Sequence, residues 1–444
     1  MLRPAAVRSL FAPVAPSRAR LASLVGRPGT ALLEGWCDEG EPWHLLLPWP
    51  GEIRECRSGE PGRDWRSQLE TIAAEPPTAS PSVELPFAGG WVGLVSYEAG
   101  AAHEAATPRA DGVAEPLAWF ARHDAGLAVR GDRAFVFAPE GEIDAREQQL
   151  DAMLRGAEVA ETSIGDAGAL ALDDSLGGAR YGEQVDAIRA LIRDGDVYQV
   201  NLTRRLTAAA ALDARVVYLA LTRDGIPRCA ALIAGDGWTI ASASPELFLR
   251  HDRVSGIAES RPIKGTVRRR GDDAAEIAAL LGSAKDVAEH LMIVDLVRND
   301  LGKVAPPGRV SVSEYLTVRT IPHLHHLEST VRAEELGETT VAQLFDALFP
   351  AGSITGAPKR AAVAAIRGLE PCARGVYTGA IGFVGSDGGS EFSVAIRTAV
   401  ITPEETRYHA GGGIVWDSDP RGEDDESRAK SLGFFRALGL EEME

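Results

Sequence analysis

Two pairs of acidic residues have the spacing of a metal-binding helix face. Asp286 and Glu289 are three residues apart, and so are Glu423 and Glu426. Residues three apart lie on the same side of a helix, so each pair can direct two carboxylates at one point. Carboxylates near a helix start also offset the helix macrodipole, which is the ordinary alternative. Because Mg2+ binds one or two carboxylates together with water and substrate oxygens, the two pairs predict a magnesium site.

Two glycine-rich segments predict places where the backbone can approach a ligand. Gly411, Gly412 and Gly413 precede the second acidic pair and are predicted to form a turn. The segment 352–359, which includes Ser353, is predicted to be a loop that runs into a helix. It lacks the spacing of an ATP-binding phosphate loop, so ATP is not supported. Its amides and hydroxyls can hold a carboxylate, or they can simply cap the helix.

Three single residues have side chains suited to acid–base or nucleophilic chemistry. Glu246 follows Pro245 in an apolar, strand-like segment, where burial would raise its pKa and suit it to donate a proton. Lys264 becomes a nucleophile if desolvation lowers its pKa. His326 can act as an acid, a base or an orienting group. Each of these residues, taken alone, is also compatible with a purely structural role.

The elements that must position these residues differ along the chain. Residues 30–155 contain short apolar runs separated by Gly and Pro, which favour strands and hairpins. Residues 156–180 are rich in Ala, Gly and Asp and predict a connection between two halves. Beyond it, hydrophobic patterns predict helices over 181–194, 272–281 and 284–299, strands over 201–207 and 229–243, and a helix that runs from Glu423 and Glu426 toward Leu438. The chain is therefore predicted to be α+β.

The composition limits the class of protein. The 444 residues carry 46 Lys and Arg against 64 Asp and Glu, which gives a formal net charge of −18. Nucleic acid is a poor partner for this surface, because binding it requires clustered cations. No apolar run is long enough to span a membrane, and the segment 1–33, with five arginines and four prolines, predicts a ragged N-terminus. The four cysteines are far apart, so we expect neither a zinc ribbon nor disulfides, and a cytoplasmic location.

Eight segments occur in the order found in one enzyme family. They are YQVNLT (198–203), SPE (244–246), RPIKGT (261–266), EHLMIVDLVRNDLG (289–302), HLES (326–329), GSITGAPK (352–359), AIRT (395–398) and GGGIVWDS (411–418). The chain thus resembles the chorismate-utilising enzymes, strongly over about 180–440 and more weakly through 89–93. The resemblance implies a four-layer α/β/β/α sandwich of antiparallel sheets. It also implies an N-terminal region over 1–160 that completes the sheets and a chorismate-binding catalytic domain over 175–444.

The same resemblance assigns ligands for the metal and the substrate. Glu289 and Glu426 resemble the family's Mg2+ ligands, and Asp286 and Glu423 would be further or alternate ligands. The Mg2+ ion would hold the ring carboxylate of chorismate. The residues expected to bind the substrate are Gln199, Thr266, Ser353, Arg397, Gly411, Gly412, Gly413 and Lys430.

Two positions select a branch of the family. Members that add water to chorismate carry a lysine where this chain has Gln199, and anthranilate-forming members carry an alanine where this chain has Lys264. A lysine at that place resembles the branch that aminates chorismate at C4, in which the amine attacks C2 and is then displaced by ammonia. The resemblance further implies that Glu246 protonates the departing C4 hydroxyl and that His326 orients the ring or its leaving group.

The nitrogen source and the alternatives also follow from the resemblance. The chain contains no recognisable glutamine amidotransferase motif, so ammonia is expected from a separate glutamine amidotransferase subunit. The nearest alternative activity is anthranilate formation, and a remote one is a noncatalytic, chorismate-binding regulatory subunit. Relatives that bind tryptophan have serine in a Leu-Leu-x-Ser pattern, whereas this chain has Leu32-Leu33-Glu34-Gly35, so tryptophan binding is not expected.

Overall fold

The computed structural model describes residues 5–10, 16–36, 40–57, 64–77, 85–104, 113–158, 171–321 and 324–440. Cys37 and residues 159–170 of the predicted connection over 156–180 lie outside these ranges. The strands before the connection are β1 (Ala5–Leu10), β2 (Ala31–Gly35), β3 (Trp43–Leu47), β4 (Ile53–Cys56), β5 (Gly90–Val95), β6 (Ala118–His123), β7 (Gly126–Arg130) and β8 (Arg133–Pro139). The strands after it are β9 (Leu172–Asp174), β10 (Gln199–Ala208), β11 (Cys229–Ala234), β12 (Thr239–Ser244), β13 (Leu247–Asp252), β14 (Ile257–Arg261), β15 (Ile263–Arg268), β16 (Val310–Ile321), β17 (Leu324–Ala333), β18 (Gly356–Ala357), β19 (Ala380–Gly385), β20 (Ser390–Val394), β21 (Thr398–Ile401) and β22 (Thr406–Ile414).

Helices cover the strands and carry part of the candidate site. They are α1 (Arg18–Ala22), α2 (Trp65–Ala73), α3 (Tyr97–Glu104), α4 (Ile143–Gly156), α5 (Arg180–Asp194), α6 (Ala214–Leu221), α7 (Asp273–Gly282), α8 (Ala284–Leu301), α9 (Val341–Leu348), α10 (Lys359–Leu369), α11 (Pro420–Ala429) and α12 (Leu432–Ala437), with a 3-10 turn at Gly352–Ile354. Among the described residues, no helix has the length and apolar character needed to cross a membrane.

The described strands form two large antiparallel sheets. The first sheet has the order β1-β8-β7-β3-β2-β11-β12-β21-β22-β10-β18, and β9 pairs with β10. The second has the order β15-β17-β14-β13-β20-β19-β5-β6-β4, and β16 pairs with β17. Each sheet combines strands from before residue 160 with strands from after residue 175. The N-terminal strands thus extend the sheets that carry the C-terminal motifs.

Three hydrophobic clusters define four layers. One cluster lies between the sheets and joins first-sheet residues such as Leu45 to second-sheet residues such as Phe383. Another packs α1, α4, α6 and α12 on the outer face of the first sheet, and the third packs α2, α8 and α9 on the second sheet. Burying both faces of each sheet removes apolar area from water at about 25 cal/mol per Å2, which holds the layers together. The predicted α/β/β/α sandwich is confirmed.

Most of the predicted elements are present, with small differences in their limits. The helices predicted over 181–194, 272–281 and 284–299 correspond to α5, α7 and α8. The single strand predicted over 229–243 is instead the hairpin of β11 and β12. The chain turns at Gly237, whose φ of +76° belongs to the left-handed region that glycine adopts without strain.

Three predictions are wrong. The N-terminus is not ragged throughout, because Ala5–Leu10 pairs with β8. Gly411, Gly412 and Gly413 form no turn, since β22 continues through them and pairs with β10. The helix predicted to run toward Leu438 breaks after Ala429. The break lets α12 pack on the first sheet, where the Phe434 ring stacks 4.7 Å from that of Tyr408.

Candidate active site

The candidate site forms where the chain crosses between the two sheets. Glu246 lies between β12 of the first sheet and β13 of the second, and Arg397 lies between β20 of the second sheet and β21 of the first. Hydrogen bonds join the two crossings: the Val394 amide donates to the Glu246 carbonyl at 3.0 Å, and the Ala243 amide donates to the Arg397 carbonyl at 3.0 Å. The sandwich therefore brings an acid and a cation together from segments about 150 residues apart.

Glu246 is a buried acid with a strongly perturbed pKa. Its side chain is 4% exposed, and the Ser353 hydroxyl donates a hydrogen bond to its Oε1 at 2.5 Å. Burial raises the pKa of Glu246 to about 7, although the Ser353 hydrogen bond and the charge of Lys264 act against this shift. The sequence-based expectation of a raised pKa is confirmed. Glu246 can hold or release a proton near neutrality, and the Ser353 hydroxyl, expected to bind substrate, is engaged with Glu246.

Lys264 projects its amine toward the first sheet from β15 of the second sheet. A Cβ added to Gly413 would lie 3.1 Å from Lys264 Nζ and 2.4 Å from Gln199 Nε2, so both side chains reach the backbone of β22 at this glycine. Burial lowers the pKa of Lys264, whereas the charge of Glu289 raises it. The Gln199 side chain is fully buried, and both of its polar atoms lack a hydrogen-bond partner within the described residues. Such buried amide atoms are normally satisfied, which makes them candidates to bind a ligand.

The first acidic pair lies at the start of α8. The Ser283 hydroxyl caps this helix by accepting from the Asp286 amide at 3.3 Å, so Asp286 falls in the first turn and Glu289 in the next. Asp286 packs against Gly265, beside Lys264. Burial raises the pKa of Glu289, and the charges of Glu423 and Asp286 add to the shift while lysines oppose it. Glu289 Oε1 is a buried atom without a hydrogen-bond partner in the described chain.

The second acidic pair lies on α11, which begins after the cap Asp419 and has Pro420 in its first turn. Glu423 is buried and accepts a hydrogen bond from the Ser418 hydroxyl at 2.6 Å. The Glu426 side chain is 54% exposed and pairs with Lys430 at 2.7 Å, which lowers the pKa of Glu426. Lys430 Nζ also donates to the Gly411 carbonyl at 3.0 Å. Gly412 faces both acids, since a Cβ there would lie 3.3 Å from Glu423 Oε2 and 3.8 Å from Glu426 Oε1.

His326 and Arg397 form the basic side of the site. His326 lies on β17 and is buried, and burial together with the charge of Arg397 lowers the pKa of His326 to about 4. The imidazole is therefore neutral at pH 7. Burial also lowers the pKa of Arg397, whose guanidinium forms no ion pair with the described carboxylates and whose φ of +51° is uncommon outside glycine. Thr266 pairs with His326 across the β15–β17 ladder, but its side chain is exposed.

Several supporting residues escaped the sequence reasoning. Lys285 Nζ lies 3.4 Å from Glu423 Oε1 and 3.9 Å from Glu289 Oε1, so it joins the two acidic pairs. Its place four residues before Glu289 on α8 was the available signal. The side-chain amide of Asn201 (Nδ2) donates a hydrogen bond to the Ser353 carbonyl at 2.9 Å and fixes the turn that carries that serine. Nothing in the local sequence indicates this contact, because the two residues are 152 apart.

The segment 32–35, which departs from the tryptophan-binding pattern, contributes Glu34 to a network of hydrogen-bonded polar side chains. Glu34 is fully buried and accepts hydrogen bonds from Arg18 at 2.7 Å and from the Tyr218 hydroxyl at 2.5 Å. His44 Nδ1 lies 2.5 Å from the other Glu34 oxygen. Although burial opposes ionisation, the His44 and Arg18 hydrogen bonds lower the pKa of Glu34 to about 2. The carboxylate is thus a structural anion that ties α1 and α6 to the first sheet.

Comparisons with known proteins agree with this geometry. A family model described as chorismate binding enzyme matches residues 49–436. Aminodeoxychorismate synthase component 1 of Klebsiella aerogenes is 37% identical over 394 residues, which are 85% of this chain and 84% of that protein. Anthranilate synthase component 1 of Streptomyces coelicolor is 34% identical over 408 residues, covering 86% of this chain and 78% of its own length. The crystal structure of anthranilate synthase component I from Streptococcus pneumoniae superposes with a TM-score of 0.79 at 26% identity, over 90% of this chain and 93% of that one.

Proposed function

Because this chain belongs to the family of chorismate binding enzymes, we propose that it replaces the C4 hydroxyl of chorismate with an amino group to give 4-amino-4-deoxychorismate. The single observation that carries this proposal is the partly buried amine of Lys264, which lies beside Gly413 and Gln199 with a lowered pKa. The similarity to the aminodeoxychorismate synthase component 1 of Klebsiella aerogenes supports it.

Lys264 is the proposed nucleophile. An amine attacks carbon only when it is unprotonated, and burial favours the neutral form of Lys264. In the first step the Lys264 nitrogen forms a bond to C2 of chorismate, the two ring double bonds shift from C1=C2 and C5=C6 to C1=C6 and C4=C5, and the C4–O bond breaks. In the second step ammonia forms a bond to C4, the two double bonds shift back, and the bond between C2 and Lys264 breaks. The net exchange is one ammonia taken up and one water released.

Glu246 is the proposed proton donor for the departing hydroxyl. A pKa of about 7 keeps a large fraction of this carboxyl protonated at neutral pH. Ser353 holds Oε1 by a hydrogen bond of 2.5 Å, which fixes the orientation of the carboxyl group. Glu246 gives its proton to the C4 oxygen, so the leaving group is water and not hydroxide. The same carboxylate can accept a proton from the incoming ammonia in the second step.

The remaining predicted residues are proposed to bind and orient the substrate. Arg397, a partly buried cation without a carboxylate partner among the described residues, suits a substrate carboxylate. The two unpaired polar atoms of Gln199 suit a ring hydroxyl or carboxylate. Neutral His326 would orient the ring or its leaving group. Further contacts are proposed for Thr266, Ser353, Gly411, Gly412, Gly413 and Lys430.

A magnesium ion is proposed for the acidic side of the site. Glu423 and Glu426 face Gly412, and Lys285 lies between Glu423 and Glu289. Glu289 Oε1 lacks a hydrogen-bond partner in the described residues, so these carboxylates can supply oxygen ligands, with substrate and water completing the shell of the ion. Glu289 and Glu426 would hold it, with Asp286 and Glu423 as further ligands. When bound, Mg2+ would supply positive charge to the substrate carboxylate. In this structure Lys285 pairs with Glu423 and Lys430 pairs with Glu426, which balances part of their negative charge.

The nitrogen is proposed to enter as ammonia from a separate glutamine amidotransferase subunit. The words "component 1" in the name of the Klebsiella aerogenes relative support a second component. We expect the reaction to take place in the cytoplasm, which the free thiols of Cys229 and Cys372 support. The isolated chain should therefore use ammonium salts but not glutamine.

Anthranilate formation is the second candidate function, favoured by the similarity to the Streptomyces coelicolor and Streptococcus pneumoniae proteins. The product distinguishes the two, because amination at C4 retains the enolpyruvyl group and amination at C2 loses pyruvate. The test incubates the chain with chorismate, Mg2+ and ammonium and identifies the product by mass spectrometry. Aminodeoxychorismate supports the proposal, and anthranilate as the main product contradicts it.

A second measurement tests the covalent role of Lys264. Intact-protein mass spectrometry after incubation with chorismate and Mg2+, without ammonia, should detect an adduct on the parent chain and none on the Lys264→Ala variant. This variant should also shift any residual product toward anthranilate, because ammonia then meets a free C2. An adduct that persists in the variant, or aminodeoxychorismate formed at the parental rate, would rule out Lys264 as the nucleophile.

A further inference from the structure

A second cluster of titratable side chains lies on the opposite face of β17 from His326. Successive strand residues point to opposite faces, so the neighbouring His325 points toward α7. His325 is fully buried, and its Nδ1 shares a hydrogen bond of 2.8 Å with the Thr320 hydroxyl. Its Nε2 is also buried and has no hydrogen-bond partner among the described residues. A buried imidazole nitrogen with an unused lone pair is available to coordinate a metal ion.

Two carboxylates from the start of α7 face this nitrogen. Asp273 Oδ1 lies 3.4 Å from His325 Nε2, and Glu276 Oε2 lies 3.6 Å from it. Glu276 Oε2 is itself a buried atom without a hydrogen-bond partner in the described chain. The two acids are three residues apart, so the helix directs both toward the same point. Both carboxylates therefore lie near His325 Nε2, but at distances longer than a normal hydrogen bond.

The separations match a small tetrahedral ion. Zinc lies about 2.0–2.1 Å from nitrogen and oxygen ligands, so two ligands at a tetrahedral angle are roughly 3.3 Å apart. The three ligand atoms of Asp273, Glu276 and His325 all lie within 4.8 Å of one another, and no other group of three or more such side chains within the described ranges meets this condition. An ion at their centre would reach all three with small side-chain movements.

Neighbouring groups hold the three ligands in place. The Arg269 guanidinium donates to both oxygens of Asp273, at 2.7 and 2.8 Å, and the Arg270 amide donates to Glu276 Oε1 at 2.7 Å. If the Thr320 hydroxyl accepts from Nδ1–H of His325, the Nε2 lone pair is free to bind a cation. Such surrounding hydrogen bonds orient metal ligands and fix the tautomer of a histidine ligand. The ion would share Asp273 with the partly exposed Arg269.

We propose that Asp273, Glu276 and His325 bind a divalent transition-metal ion, with zinc the best match, at a site separate from the acidic groups of α8 and α11. The ion links the start of α7 to β17. His325 pairs with Val267 of β15, the strand that carries Lys264. The site therefore has a structural role: it holds α7 against β17, next to the strand that carries Lys264, and it takes no direct part in the reaction.

The test measures zinc binding to the full chain in the presence of excess Mg2+. A chromogenic chelator competes for Zn2+ and gives the stoichiometry and affinity, and Co2+ alone gives an absorption spectrum that reports tetrahedral coordination. We expect one tightly bound Zn2+ per chain and a tetrahedral Co2+ spectrum. Asp273→Asn combined with Glu276→Gln should weaken zinc binding by more than ~10-fold and remove the Co2+ spectrum.

Two control variants separate this site from others. Glu338→Gln removes a carboxylate that is 97% exposed, and it should leave zinc binding unchanged. Glu289→Gln combined with Glu426→Gln removes the proposed magnesium ligands and should also retain the zinc site. The circular dichroism spectrum of each variant checks that it is folded. The proposal is overturned if the parent chain binds no stoichiometric zinc, if the Asp273 and Glu276 variant binds it equally well, or if the Glu289 and Glu426 variant loses it.

Discussion

Replacing Glu246 with glutamine should make the protein inactive and, at the same time, more stable at alkaline pH. Glutamine has nearly the same shape as glutamate, and its side-chain oxygen can still accept the hydrogen bond from Ser353. It cannot donate a proton to a leaving hydroxyl or carry a negative charge. The substitution therefore removes the proposed acid and also removes the requirement to bury a carboxylate.

The magnitude follows from the pKa of Glu246, which burial raises from 4.5 to about 7. Below pH 4.5 the carboxyl is protonated in both the folded and the unfolded chain, and ionisation contributes nothing to the free energy of unfolding. Between pH 4.5 and about 7 the unfolded chain loses the proton while the folded chain keeps it, so the parent protein loses stability as the pH rises. At about 1.4 kcal/mol per pKa unit, the loss reaches about 3 kcal/mol above pH 7.

Urea unfolding of the parent and of Glu246→Gln at about pH 5 and about pH 8 tests this reasoning. The variant should gain up to about 3 kcal/mol on the parent between the two pH values. Titrating groups that do not interact with Glu246 cancel in this difference because both proteins contain them. Glu338→Gln, at an exposed acid, is the matched control and should give no pH-dependent difference. A difference for Glu246→Gln that stays constant with pH would refute the raised pKa, whatever the activity of the variant.

Three further predictions concern other groups. Glu426→Gln should abolish Mg2+-dependent turnover but leave the melting temperature unchanged, since that side chain is 54% exposed; retained turnover would contradict its role. Burial lowers the pKa of His290 and His326 from 6.5 to about 4, so unfolding free energy should fall as the pH drops through this interval, as urea titrations can check. Arg374→Met should destabilise by about 3–5 kcal/mol in the same assay, because it leaves buried Glu370 without its partner at 2.7 Å.

The helices over 181–194, 272–281 and 284–299 could be predicted because their signals are local. Ser283 caps α8 and apolar residues follow at helical spacing, so the predicted and observed helices nearly coincide. The turn predicted at 411–413 is wrong because glycine favours turns in general. Here β22 continues through the glycines and passes close to side chains of the candidate site. At Gly413 the ends of the Gln199 and Lys264 side chains occupy the space that a Cβ would take. The local pattern cannot distinguish these two reasons for a glycine.

The contacts that tune the candidate site could not be predicted, since they join distant segments. Ser353 and Glu246 are 107 residues apart in the sequence, and their hydrogen bond exists only because the 3-10 turn packs against the crossing between the sheets. The expectation that Ser353 binds substrate rested on its type and on the motif around it. In this structure its hydroxyl donates to the acid, so Ser353 also positions Glu246.

The two crossings between the sheets explain why burial and chemistry coincide in this fold. A strand residue lies within a single sheet, but Glu246 and Arg397 lie where the chain leaves one sheet for the other, between the layers. At such a place the side chain is shielded from water by both sheets, and burial shifts the pKa of Glu246 upward and that of Arg397 downward. The folded chain therefore holds an acid with a raised pKa at one crossing and, at the other, a cation without a carboxylate partner in the described residues. This state is unfavourable for stability and suited to binding and protonating an anionic substrate.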